Sequence, residues 1–380
     1  MTNTNNQNNN SKMKKIFLLA AAVIAFAACS KVELNLPETS EIGFSPNALQ
    51  TKALILPNGN SSDSLAFPTS EAFNVFAFAT LPGEATNYAS PLMNDVEISY
   101  HVANTNTNAG DWKATSGTYL WPAAGTVDFY AYYPGTITAV YDTTETPKGL
   151  SLTGINLGAS IGYQNDPMVA SVLAQNATAK KRVPLVFKHI TSQIAVTAFD
   201  ATETEQLKGK ISIEKVVFKN MKTTGKYREG TTAGKGQWSD VNTKVDFTPF
   251  FGSQLLAETE SFLSNDSFSA SIDNNAAFVV IPVDVVNTDG EAQVIEVSYS
   301  IAAYTINNFN YPATPTQTVT VPLYNKISGN KFQNGMRYVF HIGISLDGAN
   351  NEIMFSPVVE GWNTEDVNGI TIDAFNHVLL

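Results

Sequence analysis

Apolar and polar residues alternate in twos along most of this chain. Val127, Phe129, Ala131 and Tyr133 share one face of a segment whose other face carries polar groups. In Tyr338–Leu346, residues Tyr338, Phe340, Ile342, Ile344 and Leu346 face one way, and Val339, His341, Gly343 and Ser345 the other. Period two is the signature of a half-buried β-strand. Similar runs occur at 73–78, 185–199, 211–219, 277–286, 294–301 and 318–323, and most are rich in Val, Ile, Phe, Tyr and Thr. Turn residues such as Pro134-Gly135, Asn220 and Asp347-Gly348 bound many of them. No capped segment of helical period is long enough to matter. Two helical scraps are expected near Asp166–Ala170 and Gln254–Glu258. Many short strands with turns between them predict an all-β protein built of β-sandwiches.

Further runs alternate ahead of the first strong strand. Leu34 and Leu36 alternate with Glu33 and Asn35, and Ile42 and Phe44 with Gly43 and Ser45. The segment between Cys29 and Lys52 is therefore expected to give the N-terminal sandwich its first strand. Polar, Gly- and Ser-rich stretches at 57–64, 104–110 and 225–236 read as loops. A boundary is expected after the loose stretch 164–179, near Lys180-Lys181-Arg182. The expected organisation is an export segment at 1–28, an N-terminal β-sandwich at 29–183 and a C-terminal one at 184–380. About 350 mature residues exceed the roughly 250–300 over which one core usually extends.

The N-terminal composition differs from the rest. Residues 1–12 are polar and Asn-rich and read as an extension upstream of Met13. Lys14 and Lys15 then precede an apolar run from Ile16 to Ala28. That run is too short to span a bilayer, which takes about 20 apolar residues, but has signal-peptide length. It ends Ala27-Ala28-Cys29-Ser30, which resembles the lipobox of bacterial lipoproteins. The resemblance implies cleavage between Ala28 and Cys29, acylation of Cys29 and attachment to a membrane through that lipid. Cys29 is the only cysteine, so once acylated it leaves no thiol for a disulfide, a metal site or a nucleophile.

Composition narrows the function. The formal charge is −11, and losing Lys12, Lys14 and Lys15 with the export segment makes it −14. No basic stripe accompanies this acidity, so nucleic acid is not an expected partner. None of the four His residues has metal-ligand spacing, and His189 reads as a packed or capping imidazole. There is no glycine-rich phosphate loop. Acidic residues are abundant, but none forms a pair that singles itself out. No catalytic residue, metal or cofactor is expected. Trp112, Trp121, Trp238 and Trp362 are aromatic enough to stack on sugars, but filling sandwich cores or covering sheet edges is the better explanation, most of all for Trp121 and Trp362.

One set of segments, in order, resembles the Bacteroidales fimbrillins, the subunits of type V pili, and especially the fimbrillin-like lipoproteins. It begins with Cys29 and Lys52-Ala53 and continues with Phe73-Asn74-Val75-Phe76-Ala77-Phe78. Tyr119-Leu120-Trp121-Pro122 and Asp128-Phe129-Tyr130-Ala131-Tyr132-Tyr133-Pro134 are its most specific part. Asn165-Asp166-Pro167-Met168-Val169-Ala170, Leu185-Val186-Phe187-Lys188-His189-Ile190 and Asn334-Gly335-Met336-Arg337-Tyr338 follow, and Val359-Glu360-Gly361-Trp362 closes the pattern.

The resemblance implies two tandem transthyretin-like Greek-key sandwiches. It also implies a life history: an outer-membrane lipid-anchored precursor, a cut between Lys52 and Ala53 by a trypsin-like protease, and assembly with other pilin subunits into a surface fimbria by strand exchange. Family members are commonly cut after Arg where this chain has Lys52, and Arg182 is a rival basic site. The donor-strand candidate is the alternating tail Ile370-Thr371-Ile372-Asp373-Ala374-Phe375, with Ile370, Ile372, Ala374 and Phe375 as its apolar residues. The same tail also suits a last strand of its own sandwich. The rival reading is a non-polymerising surface lipoprotein that binds glycans or other ligands on host or bacterial surfaces.

Overall fold

The computed structural model describes residues 41–48, 67–104, 109–161, 164–177, 182–263, 277–347, 352–361 and 376–378. The first strands are β1 (Gly43–Ala48), β2 (Phe73–Thr80), β3 (Met93–Asn104), β4 (Ala109–Ala114) and β5 (Thr126–Tyr133). Next come β6 (Thr138–Asp142), β7 (Gly149–Asn156), β8 (Met168–Gln175) and β9 (Arg182–His189). The second half opens with β10 (Ser192–Asp200), β11 (Ile211–Lys222), β12 (Thr224–Arg228), β13 (Gln237–Ser239), β14 (Lys244–Leu255), β15 (Ser261–Phe262) and β16 (Phe278–Val280). It continues with β17 (Val294–Ile301), β18 (Tyr304–Ile306), β19 (Phe309–Tyr311), β20 (Thr314–Pro322), β21 (Met336–Ser345), β22 (Glu352–Gly361) and β23 (Asn376–Val378). Among the described residues the only helical element is a single 3-10 turn at Ser328–Asn330. The all-β expectation holds. The two expected helical scraps do not form: Met168 already opens β8, and β14 runs extended to Leu255.

The strands build three layers of core. In the first half, β1-β4-β3-β2-β5-β8-β9 close into a barrel. Phe44, Phe73, Phe129, Trp112 and Phe187 pack inside it. In the second half, β11, β14, β17 and β20 form one sheet, and β10, β21, β22 and β23 form another, with β15 and β16 added at the edge of β10. The core between these two sheets holds Phe218, Val297, Phe278 and Phe340. The third layer is a sheet of β13-β12-β7-β6, drawn from both halves of the chain.

This middle sheet explains why Phe73–Phe78 reads as a continuous apolar run. Val75 and Ala77 point into the barrel, while Phe76 and Phe78 pack against Leu150, Leu152 and Tyr227 of the middle sheet. A strand covered on both faces has no polar side to display. Residues 225–236, expected as a loop, begin within β12, whose Tyr227 is buried; its neighbours Gly225, Lys226 and Arg228 carry no strand signal. The long run 185–199 is broken by Ile190 and Thr191 between β9 and β10. The expected division between residues 183 and 184 falls inside β9.

Candidate functional site

The strand that closes the barrel is β1. It pairs with β9 in parallel along six residues, Gly43↔Arg182 through Ala48↔Phe187, but meets β4 at one residue pair only, Phe44↔Trp112. Its side chains alternate as the sequence predicts: Ile42, Phe44 and Pro46 are buried, and Ser45 and Asn47 are exposed. Phe44 is 0% exposed and meets Phe73 and Phe129 edge-on, with centroids 6.1 and 5.7 Å apart. Trp112, Phe67 and Phe187 continue this aromatic wall. Just before β1, the Ile42 amide donates to the Tyr119 carbonyl at 2.8 Å.

Two prolines sit in the β1–β9 seam, Pro184 opposite Ser45 and Pro46 opposite Leu185. Neither has an N–H to give the ladder. The seam therefore lacks two possible donors, and the buried Ile42, Phe44 and Pro46 add apolar contact to it. A second fastening is electrostatic: Arg182 on β9 donates to the carboxylate of Asp111 on β4, bridging the two strands that flank β1. The stem of Arg182 lies over Gly43, where a Cβ would stand 3.8 Å from Arg182 Cγ. Nothing local in the sequence announces this pair, whose members are 71 residues apart.

Removing β1 would leave a groove between β4 and β9 floored by Phe73, Phe129 and Trp112. Such a groove would carry unpaired backbone groups over a bare apolar floor.

The other sequence-predicted residues fall in two groups. Cys29, Ala28, Lys52, Ala53, Trp362 and the donor candidates Ile370, Ile372, Ala374 and Phe375 lie outside the described residues. The tail beyond them, β23, pairs with β22 over Asn376–Val378 in the second half's own sheet. Within the described residues, Trp112 and Trp121 are core, at 7% and 3% exposure, while Trp238 is half-buried. His189 is fully buried, its Nδ1 2.8 Å from Asp166 Oδ2, with the Thr191 hydroxyl donating to the other carboxylate oxygen. Among the described residues no group of His, Cys, Asp or Glu gathers in a metal-binding arrangement, and no helix is long and apolar enough to cross a membrane.

The site is thus a barrel closed by a short N-terminal strand, followed by two further packed sheets in the second half. The sequence matches the fimbrillin-like family over residues 51–362, so the chain belongs to that family of pilus-related adhesion subunits. Among solved structures, a fimbrial protein from Bacteroides vulgatus is 14% identical, with 84% of this chain and 99% of that one covered and a TM-score of 0.54. The tip fimbrial protein Mfa3 of Porphyromonas gingivalis is 9% identical over 85% of this chain and 99% of that one, with a TM-score of 0.38. The fimbrial anchor protein Mfa2 of the same organism is 11% identical over 85% and 98%, with a TM-score of 0.30. No curated protein matches the chain.

Proposed function

We propose that this protein is a structural subunit or accessory/tip component of a cell-surface pilus, exported as a lipoprotein and assembled by strand exchange once β1 is cut away. The observation that carries the reading is the position of β1. It completes the barrel core with Phe44, yet ends at Ala48, just ahead of Lys52. A cut between Lys52 and Ala53 severs the only covalent link between β1 and the barrel it fills. The lipid on Cys29 leaves with the same segment, so one cut both releases the subunit and opens its groove. In this reading the barrel, from β1 through β9, supplies the accepting half, and the chain beyond it the donating half. The partners are other pilin subunits, a membrane reached through the lipid, and a trypsin-like maturation protease.

Limited trypsin treatment of the folded chain tests this. A new N-terminus at Ala53 by mass spectrometry, followed by SDS-resistant ladders, is the expected result. A cut protein that keeps β1 bound and stays monomeric overturns strand exchange. Labelling with a clickable palmitate analogue tests the anchor separately: the native chain is marked and Cys29→Ala is not.

A further inference from the structure

Residues of the middle sheet and of the second half line an open cleft of about 850 Å³ that strand exchange does not use. Its volume lies within the roughly 300–1,000 Å³ typical of small-molecule sites. Trp238 of β13 forms part of its wall. The indole is locked in place: Nε1 donates to the Ile190 carbonyl at 3.0 Å and to Asn334 Oδ1 at 3.1 Å. Asn334 in turn donates to the Gly236 carbonyl at 2.9 Å, and Tyr227 backs the indole at 5.3 Å between centroids. Around it stand the exposed amide side chains of Gln237 and Gln333.

The charges of the wall are largely spent on one another. Lys222 pairs with Glu291 at 3.4 Å and Lys331 with Asp284 at 3.6 Å. A phosphate-bearing ligand would want cations without such acid partners, and a purely apolar ligand would leave the amides without hydrogen bonds. A pyranose ring suits both halves of the wall. Its C–H face packs on an aromatic surface, and its ring of hydroxyls pairs with planar amides and carboxylates.

We propose that the Trp238 cleft is a saccharide-binding site, with Trp238 as the stacking surface and Gln237 and Gln333 as hydroxyl partners. The site is built from residues 222–334 and requires neither removal of β1 nor polymerisation. It would give a pilus subunit its own adhesive contact with surface glycans.

The test uses the full chain in detergent, with N-acetyllactosamine and released mucin O-glycans as probes. Intrinsic tryptophan fluorescence and saturation-transfer NMR are the readouts. Saturable binding is expected, with transfer to the sugar C–H protons. Trp238→Ala should weaken it by on the order of tenfold or more, as loss of a main anchor does. Trp238 also braces Asn334, so this variant risks misfolding. The exposed pair Gln237→Ala/Gln333→Ala is the second arm and should weaken binding several-fold at an unchanged melting temperature. No binding of either probe at millimolar concentration overturns the proposal. Binding that survives the double substitution intact overturns it too.

Discussion

Arg182 reaches across Gly43 to pair with Asp111, so the two strands that flank β1 are clasped to each other over it. Both side chains are well exposed, at 44% and 53%, and an exposed pair adds little to global stability. Its effect is local, on the opening of one seam.

Asp111→Ala should therefore lower global stability by less than about 1 kcal/mol. The amides of Ser45, Asn47 and Ala48 should nonetheless exchange with solvent several-fold faster, while those inside β5 do not change. Hydrogen exchange read by NMR or mass spectrometry decides this. Equal protection of β1 in both proteins would mean that the clasp does not hold the strand.

Phe44 and Phe129 touch in the barrel core, yet they lie on opposite sides of Lys52. Phe→Ala in such a site costs about 3–5 kcal/mol, and both variants should melt early in the intact chain. After the cut and loss of β1 the two part ways. The Phe44→Ala protein becomes chemically identical to the cut native protein and melts with it, whereas Phe129→Ala stays destabilised. A persistent Phe44 effect after cutting means that β1 stays with the barrel.

Burial pushes the Glu229 carboxyl from 4.5 up to about 8, and the Gly234 amide, the Tyr227 hydroxyl and the Lys188 charge offset only part of this. The folded chain then holds a proton that the unfolded chain releases near 4.5, so stability is full below that pH and falls as pH rises towards 8. Each unit of that span is worth about 1.4 kcal/mol. Glu229→Gln keeps the shape without the charge. Its melting temperature should lose this slope and exceed that of the native protein at the alkaline end. Parallel melting curves for the two proteins across the window would show Glu229 to be solvated.

The strands that alternate were legible because each has one face in a core and one outside it. Phe129 and Phe340 are read correctly from spacing alone. Phe44 was legible for the same reason, even in a strand of six residues. What spacing does not carry is the third layer. Leu152 of β7 pairs with Tyr227 of β12, and no local rule links those two residues across the intervening strands. The clasp and the Trp238 cleft were hidden likewise, since Arg182 with Asp111 and Trp238 with Asn334 meet only once the chain has folded. The readings of Lys52 and Cys29 rest on short local motifs alone, and both residues lie outside the described ones.

If assembly follows the proposed strand exchange, a strand replacing β1 would have to repeat what Ile42, Phe44 and Pro46 do, sending alternate side chains into the barrel and leaving the others in solvent. The tail segment fits that pattern on one face, Ile370, Ile372 and Ala374, with Thr371 and Asp373 on the other. A peptide covering Ile370–Leu380 should therefore bind the cut protein and raise its melting temperature, while leaving the intact precursor unaffected because β1 occupies the site. In that peptide Ile372→Asp places a charge on the Phe73–Phe129 floor, where an unpaired carboxylate is strongly disfavoured, and binding should be lost. Thr371→Asp puts the same charge in solvent and should leave binding within a few-fold of the native peptide. Two equally weakened peptides would mean that charge, and not the inward face, governs the interaction. A cut protein that ignores all three would place the donor elsewhere in the chain or in a different subunit.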